Sequence, residues 1–164
     1  ASTVSVVTSN GKNGMAGATI SSFCSVSANP AILLACVFKH TPLANNIKFN
    51  KKFCLNLLSQ KQIEISNIFA GRELPANKNK FDLIDWNLGK FNQPIISGSV
   101  ASFECKISKI IDGETHDIFL GNVISIIDDP KIEKSLIYVK QKYAKYNNFD
   151  NNEIGLNKLM LEIL

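Results

Sequence analysis

The chain has 164 residues, a length that suits one domain over residues 1–164, with a core large enough to need no disulfide or metal. It is 45% hydrophobic and 20% charged, which excludes a mainly disordered protein. The net charge of 18 − 14 = +4 comes from scattered lysines and one arginine, so a nucleic-acid groove is not expected. No segment has the ~20 apolar residues of a membrane span, and no signal peptide is visible.

Reactive side chains are few. The four cysteines are scattered and none forms a C-x-x-C pair. Neighbours such as Phe23 beside Cys24 are typical of strand or core positions. We therefore expect free thiols in a reducing cytoplasm, without disulfides or a metal site. His40 and His116 are the only histidines, so side-chain acid–base chemistry has few candidates.

The chain begins with strand signals. The β-branched run Thr3–Thr8 predicts a strand, and Ser9–Gly14 is a turn signal followed by a second extended run to Ile20. These segments predict an opening hairpin. The apolar run Ala31–Phe38 is typical of a buried strand, and Phe53–Leu58 predicts another.

Two helices are predicted beside these strands. Thr41 is a candidate N-cap, with Pro42 at the first helical position. Ser59–Gln62 fits a capping box, which predicts a second helix over about Gln60–Phe69 that Gly71 ends.

The polar stretch from Arg72 to Pro94 predicts a long excursion. It contains an amphipathic patch formed by Phe81, Leu83, Ile84 and Trp86. Long excursions of this kind often carry functional lids.

Three further strands and a terminal helix complete the predicted elements. Strand patterns cover Ser99–Ile111, His116–Ile127 and Leu136–Val139, with Asp112-Gly113 as the turn of a second hairpin. An apolar stripe predicts a helix over about 151–164. Together the elements predict a mainly β fold: a closed or nearly closed antiparallel barrel with helices packed outside it.

The segment Gly14–Pro30 is the first candidate site. It is dense in small and hydroxyl residues, with Ser21, Ser22, Ser25 and Ser27 following Thr19. Small residues let a flat ligand approach the backbone, and amides and hydroxyls can bond the edge of a flavin ring. The alternative is a serine-rich turn that joins two strands.

Lys39 and Thr41 form the second candidate site. The amides and positive dipole of a helix N-terminus, the Thr41 hydroxyl and the Lys39 ammonium suit a monophosphate. The alternative is an ordinary N-cap with a surface lysine, beside a surface His40.

His116 is the third candidate. Strand periodicity places it on one face with Ile118 and Leu120, either at a barrel mouth or as a satisfied strand-end residue. Glu114 and Asp117 could be paired carboxylates, but two acids in one turn are more often solvated surface.

These segments, in their order, resemble the flavin reductase family of short-chain FMN-binding split-barrel proteins. The resemblance covers roughly Val4–Tyr146 and rests on V-S-V-V-T-S, G-A-T-I-S-S-F-C-S-V-S-A-N-P, L-A-C-V-F-K-H-T-P, F-C-L-N-L-L-S-Q-K-Q, S-F-E-C-K-I, H-D-I-F-L-G-N-V and S-L-I-Y-V-K-Q-K-Y. The glycine–acid–histidine signature of the family matches Gly113–His116 with one extra residue.

The resemblance implies roles for ten residues. It implies contacts with the isoalloxazine ring, the ribityl chain, the phosphate and the nicotinamide nucleotide. In that order the residues are Ala18, Thr19, Ser21 and Ser22 for the ring; Ser25, Val26 and Ser27 for the ring and ribityl chain; Lys39 and Thr41 for the phosphate; and His116 for the nicotinamide.

The resemblance also implies an FMN-binding split β-barrel, antiparallel and Greek-key-like, that acts as an NAD(P)H:flavin oxidoreductase. FMN or FAD would receive hydride from NADH or NADPH, and reduced flavin would pass to a partner monooxygenase. It implies a homodimer with the site near the interface, which would cover the C-terminal helix and the Phe81–Trp86 patch. Because the turn before His116 is altered, a non-catalytic FMN-binding electron carrier is the alternative. A barrel that binds another planar ligand such as haem, through His40 and His116, is a third.

Overall fold

A computed structural model describes residues 1–73, 75–132 and 134–146; the predicted helix over 151–164 lies outside them. Twelve strands and two α-helices are present in this part of the chain. The strands are β1 Ser2–Thr3, β2 Ser5–Gly11, β3 Gly14–Ile20, β4 Phe23–Ala28, β5 Ala31–Phe38, β6 Lys52–Leu57, β7 Trp86–Leu88, β8 Pro94–Ile96, β9 Ala101–Gly113, β10 His116–Asp128, β11 Ile137–Val139 and β12 Lys142–Ala144. The helices are α1 Pro42–Asn50 and α2 Ile63–Phe69, and a 3₁₀ helix covers Lys80–Leu83.

Seven of the strands form one antiparallel sheet in the order β3-β2-β6-β9-β10-β5-β4. Strands β3 and β4 lie at opposite edges of this sheet, yet only Ser21 and Ser22 separate them in sequence. Three Cα steps span at most about 11 Å, so the sheet must curl until its two edges nearly meet. The predicted mainly β, nearly closed antiparallel barrel is confirmed.

Two smaller sheets lie beside the barrel. One has the order β1-β11-β12, and the other is the hairpin of β7 and β8. The hairpin begins within the predicted 72–94 excursion and ends just after it. In the described part of the chain, no helix combines the length and the apolar content that crossing a bilayer requires.

The barrel core is formed by the inward faces of the central strands and by α1. Helix α1 contributes Leu43, Ala44 and Ile47, which are 1% exposed or less. The strands contribute Val7, Ala35, Val37, Phe53, Leu55, Cys105 and Phe119. Because α1 buries its apolar residues here, it holds the chain that follows Phe38 against β3.

A second core cluster joins α2 to the excursion. It contains Ile68, Phe69 and Phe81, with Phe69 and Phe81 meeting edge to face at 5.3 Å between ring centroids. Trp86 follows at 5.7 Å from Phe81 and donates its indole N–H to the Phe81 carbonyl at 3.1 Å. Phe81 is therefore buried by its own chain, whereas Leu83, Ile84 and Trp86 remain half-buried, and the expectation that a second subunit covers them stays a prediction.

The start of α1 agrees with the sequence prediction, whereas the start of α2 does not. Thr41 caps α1 as predicted: its hydroxyl accepts the Ala44 N–H at 3.2 Å, and Pro42 occupies the first turn. Helix α2 begins at Ile63, three residues later than predicted. Gln62 accepts the Ser59 N–H through Oε1 at 2.9 Å and donates its own N–H to the Ser59 carbonyl, which closes a separate turn before the helix. The predicted end holds, with Gly71 at φ +75°.

The second hairpin turns two residues later than predicted. Gly113 is still paired, opposite His116, so the turn consists of Glu114 and Thr115. Glu114 adopts φ +65°, and its N–H is held at 2.8 Å by the Asp112 carboxylate. Asp112 therefore stabilises the turn from the preceding strand instead of forming it.

Candidate functional site

The seam of the barrel is where its two sheet edges converge, at Ser21 and Ser22. Both residues are exposed. The Ser22 carbonyl accepts the Cys36 N–H at 2.9 Å, which fixes the crossing chain to β5. Edge strands leave backbone donors and acceptors unpaired on their outer side. The seam thus places exposed hydroxyls beside the outer backbone edges of β3 and β4.

On the β3 edge the predicted residues are tied into the protein. Ala18 packs against the barrel core, and the Thr19 hydroxyl donates to the Ser66 carbonyl of α2 at 2.7 Å. Lys80 donates to the Gly17 carbonyl at 3.3 Å and to the Phe69 carbonyl at 3.0 Å. Burial lowers the pKa of the Lys80 amine.

On the β4 edge the predicted residues Ser25 and Val26 are exposed, and Ser27 is half-buried. Ser25 pairs with Leu33 and Ser27 with Ile32, so Val26 is an extra residue in a β-bulge. Its side chain is 51% exposed. Bulges re-aim side chains and occur often beside active sites. Sequence reasoning assigned no strand to β4 and offered a serine-rich turn only as the alternative for Gly14–Pro30.

A groove of about 240 Å³ brings Ala18 and Thr41 together. Small residues, Ala16 and Gly17 among them, line one wall of the groove, and the start of α1 lines another. The Thr41 hydroxyl is engaged as a cap, donating to the Phe38 carbonyl at 2.8 Å. The lysine that lines this groove is Lys80, which sequence reasoning did not select.

Lys39 lies at a different place, the β9–β10 turn. Its ammonium forms an ion pair with Asp112, and its backbone N–H donates to the Thr115 carbonyl at 3.1 Å. The hydrogen bond from Lys39 is the main reason that the pKa of Asp112 is lowered, and the Glu114 N–H adds to it. The structure therefore places the Lys39 ammonium on Asp112, away from the groove that Thr41 lines.

His116 lies at the exposed start of β10, opposite Phe38 of β5. The Phe38 ring contacts His116 edge to face at 5.5 Å between centroids and contacts His40 at 5.6 Å. His116 Nδ1 is 2.8 Å from the Thr115 hydroxyl. Strand pairing thus gathers both histidines around one exposed phenyl ring, an association that sequence reasoning did not anticipate.

A second cleft, of about 170 Å³, holds Thr19 and Ser21 together with Arg72, Tyr138 and Tyr143. Arg72 Nη2 donates to the Tyr138 hydroxyl at 3.5 Å, and this bond is the main cause that raises the pKa of the guanidinium. Arg72, Tyr138 and Tyr143 were not predicted as site residues. Two signals were available: Arg72 is the only arginine of the chain, and both tyrosines lie in the segment S-L-I-Y-V-K-Q-K-Y that carries the family resemblance.

Comparison with known proteins defines the class to which this barrel and its seam belong. The family model described as "Flavin reductase like domain" matches residues 1–147. The chain belongs to this family, so the predicted family, split-barrel fold and oxidoreductase class are confirmed.

Individual relatives agree with that assignment. The chain is 34% identical over 140 residues to the FMN reductase (NADH) RutF of Ancylobacter novellus, covering 85% of this chain and 76% of that one. It is similar to the NADH:FAD oxidoreductase SgcE6 of Streptomyces globisporus C-1027, solved with NAD and FAD fragments, at TM-score 0.80 and 31% identity over 89% and 86% of the two chains. BorF, the flavin reductase component of a bacterial two-component tryptophan halogenase, matches at TM-score 0.78 and 26% identity, over 87% and 89%.

Proposed function

We propose that this chain oxidises NADH and reduces FMN at the barrel seam, with the ten predicted residues as the core of the site. The observation that carries the proposal is the convergence of the two edges of the sheet at Ser21 and Ser22 in a flavin reductase fold. RutF is named for FMN and NADH, and SgcE6 for FAD and NADH, which supports FMN as the flavin and leaves FAD as a second substrate to test.

The residues of the seam fit a flavin. Exposed hydroxyls at Ser21, Ser22 and Ser25 match the donors and acceptors on the rim of an isoalloxazine ring. Ala18 and its small neighbours leave room for a flat group. When bound, the flavin supplies the redox chemistry by accepting hydride.

The anionic end of FMN is assigned to the groove at the start of α1. Thr41, a predicted phosphate contact, lines this groove, and so does Lys80, which adds a positive charge. Lys39 remains a proposed phosphate contact, which requires its side chain to leave Asp112. A phosphate gains from both a cation and the amides of a helix N-terminus.

His116 and Phe38 are proposed to hold the nicotinamide nucleotide. The exposed Phe38 ring offers a flat apolar surface, and the His116 imidazole offers a hydrogen bond beside it. The chain's own residues then orient the reactants and exclude water, and no strong acid or base is required.

The apolar side chains left on the barrel surface support a homodimer. Val26, Phe38, Ile111 and Ile126 are between 37% and 59% exposed, and all four are on β4, β5, β9 and β10. A second copy is the proposed cover, so light scattering should give twice the chain mass, and Ile126→Asp should give the single mass. A mass of one chain for the unmodified protein would refute the dimer.

BorF, as part of a halogenase, supports delivery of reduced flavin to a separate partner enzyme. We propose a flavin-dependent monooxygenase or halogenase as that partner. The organisation of 1–164 as one domain and a cytoplasmic location stay predictions.

Activity is tested by mixing the purified protein with NADH and FMN and following the loss of nicotinamide absorbance. We expect turnover, and His116→Ala should raise the KM for NADH more than the KM for FMN. His40→Ala, beside the same phenyl ring, is the matched control. Oxidation of neither NADH nor NADPH with FMN, FAD or riboflavin would overturn the proposal, and tight FMN binding without turnover would favour the electron carrier.

A further inference from the structure

We propose that Arg72 contacts the pyrimidine edge of the flavin ring and stabilises the reduced, anionic flavin over the oxidised one. The inference rests on the proposed function, because it concerns a flavin bound at the seam. Arg72 is the only arginine of the chain. It lines the cleft of about 170 Å³ together with Thr19 and Ser21, two of the predicted ring contacts.

The Arg72 cleft and the groove at the start of α1 follow each other along β3. Ala18 is the last residue of β3 that lines the groove, and Thr19 is the first that lines the cleft. Ser21 lies three residues beyond Ala18, about 10 Å along an extended chain. With the phosphate in the groove, a ring that contacts Thr19 and Ser21 presents one edge to the cleft, and therefore to Arg72.

The wall of the cleft orients the Arg72 guanidinium. Its Nη2 donates to the Tyr138 hydroxyl at 3.5 Å, and the Arg72 backbone N–H donates to the Asn67 carbonyl at 3.0 Å. The Tyr138 ring meets Tyr143 edge to face at 5.3 Å between centroids, and the Tyr143 hydroxyl donates to Asn67 Oδ1 at 2.8 Å. The carboxylate of Glu73, the next residue, accepts from Asn67 Nδ2 at 2.9 Å. The guanidinium thus uses one of its five N–H donors within the described residues, and the others can engage a ligand.

Reduction changes the charge of a ring placed beside Arg72. Hydride from NADH carries two electrons and one proton, so the neutral oxidised ring becomes a monoanion and NADH becomes NAD⁺. The added charge is delocalised over N1 and the C2 carbonyl, an edge where a nearby charge tunes the electronics of a flavin. A guanidinium donates charge-assisted hydrogen bonds to such an edge. Arg72 therefore binds the reduced ring more strongly than the oxidised ring, and this difference favours reduction.

Arg72→Gln tests this role through the Kd values for oxidised FMN and for anaerobically reduced FMN, measured at mildly alkaline pH, where the reduced ring is anionic. We expect the ratio of the oxidised Kd to the reduced Kd to fall about tenfold, which lowers the midpoint potential of bound FMN by about 30 mV. Arg72→Lys keeps the charge and should lower the ratio about threefold or less. Lys12→Gln, in the turn at the other end of β3, is the matched control and also leaves a net charge of 4 − 1 = +3.

Tyr138→Phe removes the hydroxyl that orients the guanidinium and should lower the same ratio about two- to threefold, with melting temperature as the check on folding. A purely structural role for Arg72 would weaken both forms of FMN equally and leave the potential unchanged. That result, or an equal fall of the ratio in Lys12→Gln, would overturn the inference, while the measured binding of FMN would still uphold the proposed function. Failure of the parent to bind FMN in either state would overturn both.

Discussion

The two edges that meet at the seam carry predicted flavin contacts of opposite character. On β3, Thr19 is bonded to α2, and Gly17 lies against Phe69 beneath the Lys80 side chain. On β4, Ser25 and Val26 are exposed beside a bulge. The β3 edge therefore acts as a scaffold whose polar groups are already used, whereas the β4 edge presents free groups. Residues that the family resemblance treats alike therefore divide here into one bonded within the protein, Thr19, and exposed ones, Ser25 and Val26.

Gly17→Val should produce the largest effect, on stability. A Cβ at Gly17 would lie 2.5 Å from the Phe69 ring, and this ring is buried and cannot retreat. We expect a loss of about 3 kcal/mol, measured by urea unfolding. Ala28→Val on the exposed β4 edge is the control and should change stability by less than about 0.5 kcal/mol. Equal losses at both positions would contradict the division into scaffold and contact edges.

Cys24 offers a direct probe of the β4 edge. It is exposed, while burial raises the pKa of Cys105 to about 12 and that of Cys54 well above its ordinary value. A thiol reagent should therefore label Cys24 first, because only thiolates react. FMN at ten times its Kd should slow this labelling about tenfold, since only the free site reacts. Cys24→Ser should remove the fast phase, and an FMN-independent rate would remove β4 from the site.

Thr19→Val should lower stability, whereas Ser22→Ala should weaken FMN binding and leave stability unchanged. Thr19→Val breaks the bond to Ser66 and should cost about 1 kcal/mol of stability. Ser22→Ala removes an exposed hydroxyl at the seam, so stability should hold while the Kd for FMN rises about fivefold. The measurements are thermal unfolding and flavin fluorescence titration. If Ser22→Ala lowers stability and leaves the Kd for FMN unchanged, Ser22 is a structural residue and not a flavin contact.

The sequence predicted those parts of the fold that local signals determine. The β5 strand and the Thr41 cap are as predicted, because an apolar run and a cap followed by proline each act within a few residues. Strand β4 was missed because its strand-forming residues, Phe23 and Val26, alternate with small residues and serines in a mostly exposed segment, and its pairing with β5 supplies what its composition lacks.

The site was less predictable than the fold. The order of the motifs identified the seam, but the partners of its residues come from distant strands. Phe38 meets His116, and Lys39 meets Asp112, only because β5 pairs with β10 and β10 with β9. Such pairings depend on topology, which one-dimensional patterns do not contain. The assignment of Lys39 therefore needs its own test.

Asp112→Asn provides that test and should have the smallest effect. It releases the Lys39 ammonium, so the KM for FMN should fall about two- to threefold while that for riboflavin, which has no phosphate, stays unchanged. Because Lys39 lowers the pKa of Asp112, the carboxylate is ionised throughout the neutral range. The pair is lost only as pH falls through that lowered pKa, so the difference between variant and parent should not change near neutrality.

Glu114→Gln removes a charge from the same turn without touching the pair with Lys39, which makes it the matched control. It should leave both KM values unchanged. Adding Lys39→Ala to Asp112→Asn should cancel the gain, because no ammonium would then be released. If Glu114→Gln lowers the KM for FMN equally, the effect is one of general charge. The phosphate contacts at the groove would then be Thr41 and Lys80 alone, and Lys39 would have no part in binding FMN.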